Sequence, residues 1–107
     1  MNDSEMQILS MISSAGDSKS KAIEALRKVK TGEYDAAREL LEEARKVDLA
    51  AHKVQTELIS TELNASEDER PAMTLLMAHA QDHYMSAQLA RDLIGELVDV
   101  FEARDSR

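Results

Sequence analysis

Residues 73–97 read MTLLMAHAQDHYMSAQLARDLIGEL, and the fold turns on that stretch. Its apolar residues recur at three- and four-residue steps, the period of an α-helix, with no strand-like alternation. Two stripes run side by side. One is Leu75, His79, Asp82, Ser86, Leu89, Leu93 and Leu97. The other is Leu76, Ala80, His83, Ala87, Ala90, Ile94 and Val98. A helix in a small monomeric bundle needs one apolar face; a second implies a partner, most simply another copy of the chain. At its centre, HAQDH (79–83) holds three ionisable side chains, His79, Asp82 and His83.

Two further helices are expected upstream. Ile8, Met11, Ile12, Ala15, Ala22, Ile23, Leu26 and Val29 keep helical spacing from a cap at Asp3 or Ser4 to a stop at Gly32. Gly16, inside that run, marks a close helix contact or a kink. A second helix is expected from about Asp35 to about Leu63, with Ala37, Leu40, Leu41, Ala44, Val47, Ala51, Val54 and Leu58 on its apolar face. The link TGEYDAA is short, so these two helices should be antiparallel neighbours, with Tyr34 packed under the corner. After the acidic loop NASEDERPA, Pro71 suits the first turn of the third helix, which should run to about Ala103. The expected fold class is all-α: a three-helix up-down-up antiparallel bundle in one domain spanning residues 1–107.

Composition agrees. Glycine (three) and proline (one) are scarce, aromatics are 3 %, and 43 % of the 107 residues are apolar, so aliphatic and Met side chains must fill the core. With 21 acidic against 13 basic residues the net charge is −8, the wrong sign for tracking phosphates, so nucleic acid is not an expected partner. The absence of cysteine excludes disulfides and thiolate metal sites. Asp3 and Glu5 stand where a signal peptide needs positive charge, and no apolar run reaches the roughly 18 residues of a membrane span. A cytoplasmic protein with no membrane insertion is expected.

Three chemistries fit His79, Asp82 and His83: metal ligation, a phosphorylatable histidine, or an ordinary buried polar cluster. His79 and His83 are one turn apart and share a face, with Asp82 beside it. Zinc hydrolysis of the HExxH kind lacks its base, because Ala80 follows His79. A phosphoryl carrier needs an unprotonated imidazole nitrogen, donors for three anionic oxygens, and a surface that protein partners can reach. The histidine phosphotransfer domains of two-component signalling place Lys and Gly shortly after their histidine, whereas Ala80, Gln81 and Asp82 follow His79.

The order of motifs resembles a known family. LLMAHAQDHYM (75–85) is similar to the signature of the lactose/cellobiose-specific enzyme IIA components of the bacterial phosphoenolpyruvate-dependent sugar phosphotransferase system. SAGDSKSKAIEAL (14–26) resembles their AGxARSxAxxAL, TGEYDAA (31–37) their GDFxxA corner, and AHKVQTELI (51–59) their AHxxQTxLI segment. The likeness spans roughly residues 8 to 102. It implies a homotrimer, with His79 phosphorylated on its Nε2 (tele) nitrogen by the histidine phosphocarrier protein. It implies transfer onward to a cysteine of a IIB component, which serves uptake of a disaccharide such as cellobiose, chitobiose or lactose through a membrane IIC component. It also implies that Asp82 meets its two symmetry copies near a three-fold axis and binds a divalent cation, usually Mg²⁺. Three converging carboxylates do need protonation or a cation, and oxygen donors suit Mg²⁺. His83 is expected to support His79, with Gln81, Gln55, Ser86, His52 and Thr56 as site-lining candidates. The chain departs from the pattern at Tyr84, where Leu is usual, and at Lys19, which lacks the planar fork of Arg. The alternative is a helical oligomerisation or metal-binding module without a phosphoryl relay.

Overall fold

The computed structural model describes residues 1–70 and 72–107. Three long helices run α1 (Asp3–Val29), α2 (Tyr34–Asn64) and α3 (Leu75–Asp105), with a 3₁₀ turn over Glu67–Glu69 between the last two. No strand occurs among the described residues. The bundle measures 60 × 24 × 20 Å, a slender rod.

Each helix end has a local cause. Asn2 caps α1: its side-chain oxygen accepts from the Glu5 N–H at 2.9 Å. The cap therefore lies one residue before Asp3 and two before Ser4, the expected positions. Gly32, at φ 70°, supplies the left-handed residue that turns α1 back into α2. The third helix starts later than expected. Ala72 to Thr74 lie outside it, and Thr74 caps it by accepting from the Met77 N–H at 3.1 Å. A hydroxyl that satisfies a free N–H outweighed the favourable first-turn geometry of a proline; Pro71 itself lies outside the described residues.

The core is built on alanine. Ala15 and Ala22 on α1, Ala37, Ala44 and Ala51 on α2, and Ala80 and Ala87 on α3 are buried, each set at seven-residue intervals. That spacing keeps small side chains along one seam and lets backbones approach closely. Ser18 uses the proximity, donating from Oγ to the Ala44 carbonyl at 2.8 Å. Larger residues fill the two ends. Ile8, Met11, Met77 and Tyr84 cluster at the loop end, and Ile94 and Val98 pack against Ala22, Ala25 and Ala37 toward the other. Ile23, expected on the inner face of α1, is exposed. Tyr34 lies half-buried at the α1–α2 corner and donates its hydroxyl to Asp105 at the end of α3.

Candidate functional site

The two stripes of α3 separate by environment. Ala80, Ala87, Ile94 and Val98 are buried against the rest of the bundle, while Leu75, Leu89 and Leu93 are 86, 60 and 55 % exposed. His79, Asp82 and Ser86 belong to that outward stripe and are exposed as well. Amphipathic spacing alone makes both faces; the bundle has room to cover one of them.

His79 and His83 meet as their spacing requires. Their ring centroids are 4.4 Å apart at 72°, edge against face. His83 is half-buried, at the border between the outward stripe and the core, whereas His79 projects into solvent above a shallow hollow formed with Leu75 and Leu76. One imidazole is thus open to an incoming group, and a second ring supports it from one turn further along. Asp82 stands next to them on the stripe. Its carboxylate accepts from Ser86 Oγ at a long 3.5 Å and forms no ion pair among the described residues.

The other candidates gather elsewhere. Gln81 is displaced from His79 by about 160° around the helix axis and faces α2. There it exchanges reciprocal amide hydrogen bonds with Gln55, at 2.7 and 2.6 Å. His52 Nδ1 lies 2.7 Å from the Tyr84 hydroxyl, and Thr56 Oγ1 donates to the His52 carbonyl. Among the described residues no hydrogen bond joins Gln81, Gln55 or His52 to His79 or His83. Within one chain they line the α2–α3 seam rather than the histidine pair.

That seam is polar along its length. Below the Gln55–Gln81 pair, the Tyr84 hydroxyl accepts from Gln88 at 3.1 Å, and lower still Arg91 bridges to Asp48 at 2.9 Å. Because Gln88 donates to it, Tyr84 has its own proton free for His52 Nδ1, which suits the imidazole tautomer protonated on Nε2. The side chains of Asp48 and Arg91 are 3 and 17 % exposed. Burial pushes the Asp48 carboxyl above the usual range and the Arg91 guanidinium pulls it back; burial and the nearby Asp48 charge push the Tyr84 phenol up. Asp48 and Arg91 escaped the reading of the sequence because partners 43 residues apart leave no local pattern.

A divalent cation is the group the motif implies. Among the described residues, no three His, Cys, Asp or Glu side chains of a single chain converge on one point. Asp82 offers one exposed carboxylate, so it fits such an ion only where further copies bring their own. A hollow of about 710 Å³ opens at the loop end over Ile8, Val54, Leu58 and Met77, and no histidine lines it.

Sequence and fold place the chain among known proteins. Residues 6–102 match the family described as PTS system, Lactose/Cellobiose specific IIA subunit. The lactose-specific EIIA component of Staphylococcus epidermidis is 38 % identical over 104 residues, covering 95 % of this chain and 97 % of that protein. The crystal structure of the cellobiose-specific enzyme IIA of Bacillus anthracis superposes with a TM-score of 0.89 at 32 % identity, over 100 % of this chain and 95 % of that one. A chitobiose IIA solved in complex with HPr gives 0.82 at 32 % identity, over 98 and 99 % of the two chains. With motif order, helix topology and both coverages in agreement, the protein belongs to the lactose/cellobiose-specific IIA subunit family of the phosphotransferase system.

Proposed function

We propose that the chain is a cytoplasmic phosphocarrier whose acceptor is His79. The observation that carries this reading is an exposed imidazole, braced by a second one at 4.4 Å, on the rim of an apolar surface. The neutral Nε2 of His79 attacks the phosphorus of the phosphohistidine on the histidine phosphocarrier protein, in line with the departing nitrogen. The donor's P–N bond breaks as the new one forms. A cysteine thiolate of the IIB component then attacks the same phosphorus, and the P–N bond to His79 breaks as a P–S bond forms. Little covalent chemistry falls to the protein, so positioning and charge stabilisation carry the rate. His83 is placed to donate a ring N–H to a phosphoryl oxygen. Gln55, Gln81 and His52 hold α3 against α2 and act on the site through that packing.

The solved complex of a chitobiose IIA with HPr supports the choice of donor. The IIB and IIC components complete the route by which a disaccharide such as cellobiose, chitobiose or lactose is taken up and phosphorylated. The outward stripe of α3 supports a homotrimer, because burying Leu75, Leu89 and Leu93 of each copy removes a large apolar surface from water. In that assembly three Asp82 carboxylates would hold Mg²⁺ or a similar cation, which would offset their mutual repulsion.

Incubation with phosphoenolpyruvate, enzyme I and the histidine phosphocarrier protein tests the relay. One acid-labile phosphoryl group per chain is expected, and none on His79→Gln. An unlabelled wild-type chain, under conditions that label a known IIA protein, would leave only an oligomerisation module.

A further inference from the structure

α2 and α3 touch each other least of the three helix pairs, so each tie between them matters. One is made by Tyr84, the residue after His83. Its ring is buried among Ile8, Met11, Ala51, Met77 and Ala80. Its hydroxyl emerges at the seam, 2.7 Å from His52 Nδ1 and 3.1 Å from Gln88 Nε2. Leucine, the residue usual at this place in the motif, would fill the same space but offers an imidazole nothing. A buried phenol needs partners for its hydroxyl. Gln88 Nε2 can only donate, so the phenol's proton goes to His52 Nδ1, and that nitrogen must carry none. A second acceptor lies close to the same imidazole. Asp48 stands one turn before His52, about 40° around α2. Its Oδ2 accepts from Arg91 at 2.9 Å, while Oδ1 is buried and has no hydrogen-bond partner among the described residues. An orphaned buried oxygen is costly. A charge on His52 draws the Asp48 carboxyl downward, so the two side chains already interact. α3 presents Tyr84, Gln88 and Arg91 to this part of the seam, and Arg91 is held by Asp48. On α2, Arg45 is paired with Glu42, and Lys53 is exposed. α1 packs on the other flank of α2, at Ala44 and Glu43.

We propose that His52 is a proton-operated switch between two partners: neutral, it takes the Tyr84 hydroxyl and holds α3 against α2; charged, it releases that hydroxyl and donates to Asp48 Oδ1. An imidazole ordinarily changes charge between about pH 5 and 8. Once it is charged, both ring nitrogens donate. The Tyr84 hydroxyl then loses its acceptor, while Asp48 Oδ1 gains the donor it lacks. The phenol keeps its own proton throughout. α3 is one continuous helix from Leu75 to Asp105, so releasing Tyr84 alters the footing of His83 and His79 on the same turns. His52 is thus a positioning residue. Toward acid pH it slows phosphoryl transfer beyond the loss that protonation of the acceptor itself causes. The effect on transfer rests on the phosphocarrier reading; the exchange of partners does not.

Nuclear magnetic resonance of the unphosphorylated chain, followed from pH 8.5 to pH 5.5, reads the exchange directly. The Tyr84 ring, Gln88 side-chain amide and Asp48 carboxyl signals are expected to move with the His52 ring through one shared midpoint. His52→Gln keeps an amide oxygen that accepts from Tyr84 at every pH, so in it those three movements should vanish. Movements caused by the neighbouring His83 would persist there. Gln88 and Asp48 signals that stay flat while His52 titrates overturn the proposal, as do movements that persist in His52→Gln. Phosphoryl labelling supplies the functional arm. The ratio of initial rates, His52→Gln over wild type, should rise about three-fold or more from pH 8 to pH 6, because protonation of His79 and of the donor is common to both chains. A flat ratio overturns the positioning role. No labelling of either chain at any pH, with the coupled movements intact, removes the relay and leaves the exchange of partners standing.

Discussion

At one end of the rod a single side chain, Tyr34, contributes to its response to alkaline pH. The Tyr34 phenol is pushed up to about 12, first by the hydrogen bond to Asp105, then by burial and by the charges of Asp105 and Glu102. Its folded value lies above the ordinary 10, so the folded state holds this proton more tightly than the unfolded one. The stabilisation is complete below pH 10 and is lost as pH rises from there toward 12. Urea unfolding between pH 8 and 12 should show a smaller alkaline loss in Tyr34→Phe than in the wild type. The sequence placed Tyr34 at its corner, because the short link allows little else. The tie to Asp105, 71 residues away, had no sequence signal, and neither did the salt bridges from Arg38 to Asp99 and Glu102.

Between elements, the three seams differ in kind. α1 meets both partners through buried alanines and aliphatic side chains, whereas α2 and α3 meet through paired polar groups. Such a seam fixes register at some expense of stability, since a buried ion pair gains little over a well-packed apolar pair yet is costly to break. Arg91→Met leaves Asp48 buried and unpaired, and should destabilise by about 3 kcal/mol in denaturant titration. Asp48→Leu combined with Arg91→Met should fall within about 1 kcal/mol of wild type, because the uncompensated charge is gone. Helical period revealed both stripes of α3 and the extents of α1 and α2 to within a residue or two. It could not say which stripe faced inward, since Leu75 and Leu76 are alike in chemistry and only the packing of α1 and α2 distinguishes them. The start of α3 slipped for a related reason: Pro71 and Thr74 are both good opening residues, and the hydrogen bond to Met77 decided between them.

At the scale of the whole molecule, the outward stripe sets what the chain can assemble into. If the leucines drive association and Asp82 is tolerated among them, Asp82→Leu should leave a trimer that no longer binds a divalent cation. Sedimentation and a Mg²⁺ titration would show it, and a monomeric variant would mean that the ion bridge dominates. Part of the site was legible because His79, Asp82 and His83 are neighbours on one helix. Their separation from Gln81, Gln55 and His52 was not, because a five-residue motif is read as a unit while a helix turns its members to different sides.

An odd number of antiparallel helices leaves α1 beginning at one end of the rod and α3 finishing at the other. His79 lies near the start of α3, so Asp105 is about 40 Å away along the axis. A fluorophore, affinity handle or fused domain attached after Asp105 would therefore ride clear of the histidine pair, while the same cargo ahead of Asn2 would crowd it. The polarity of the rod decides which end can bear a label without blunting the chemistry.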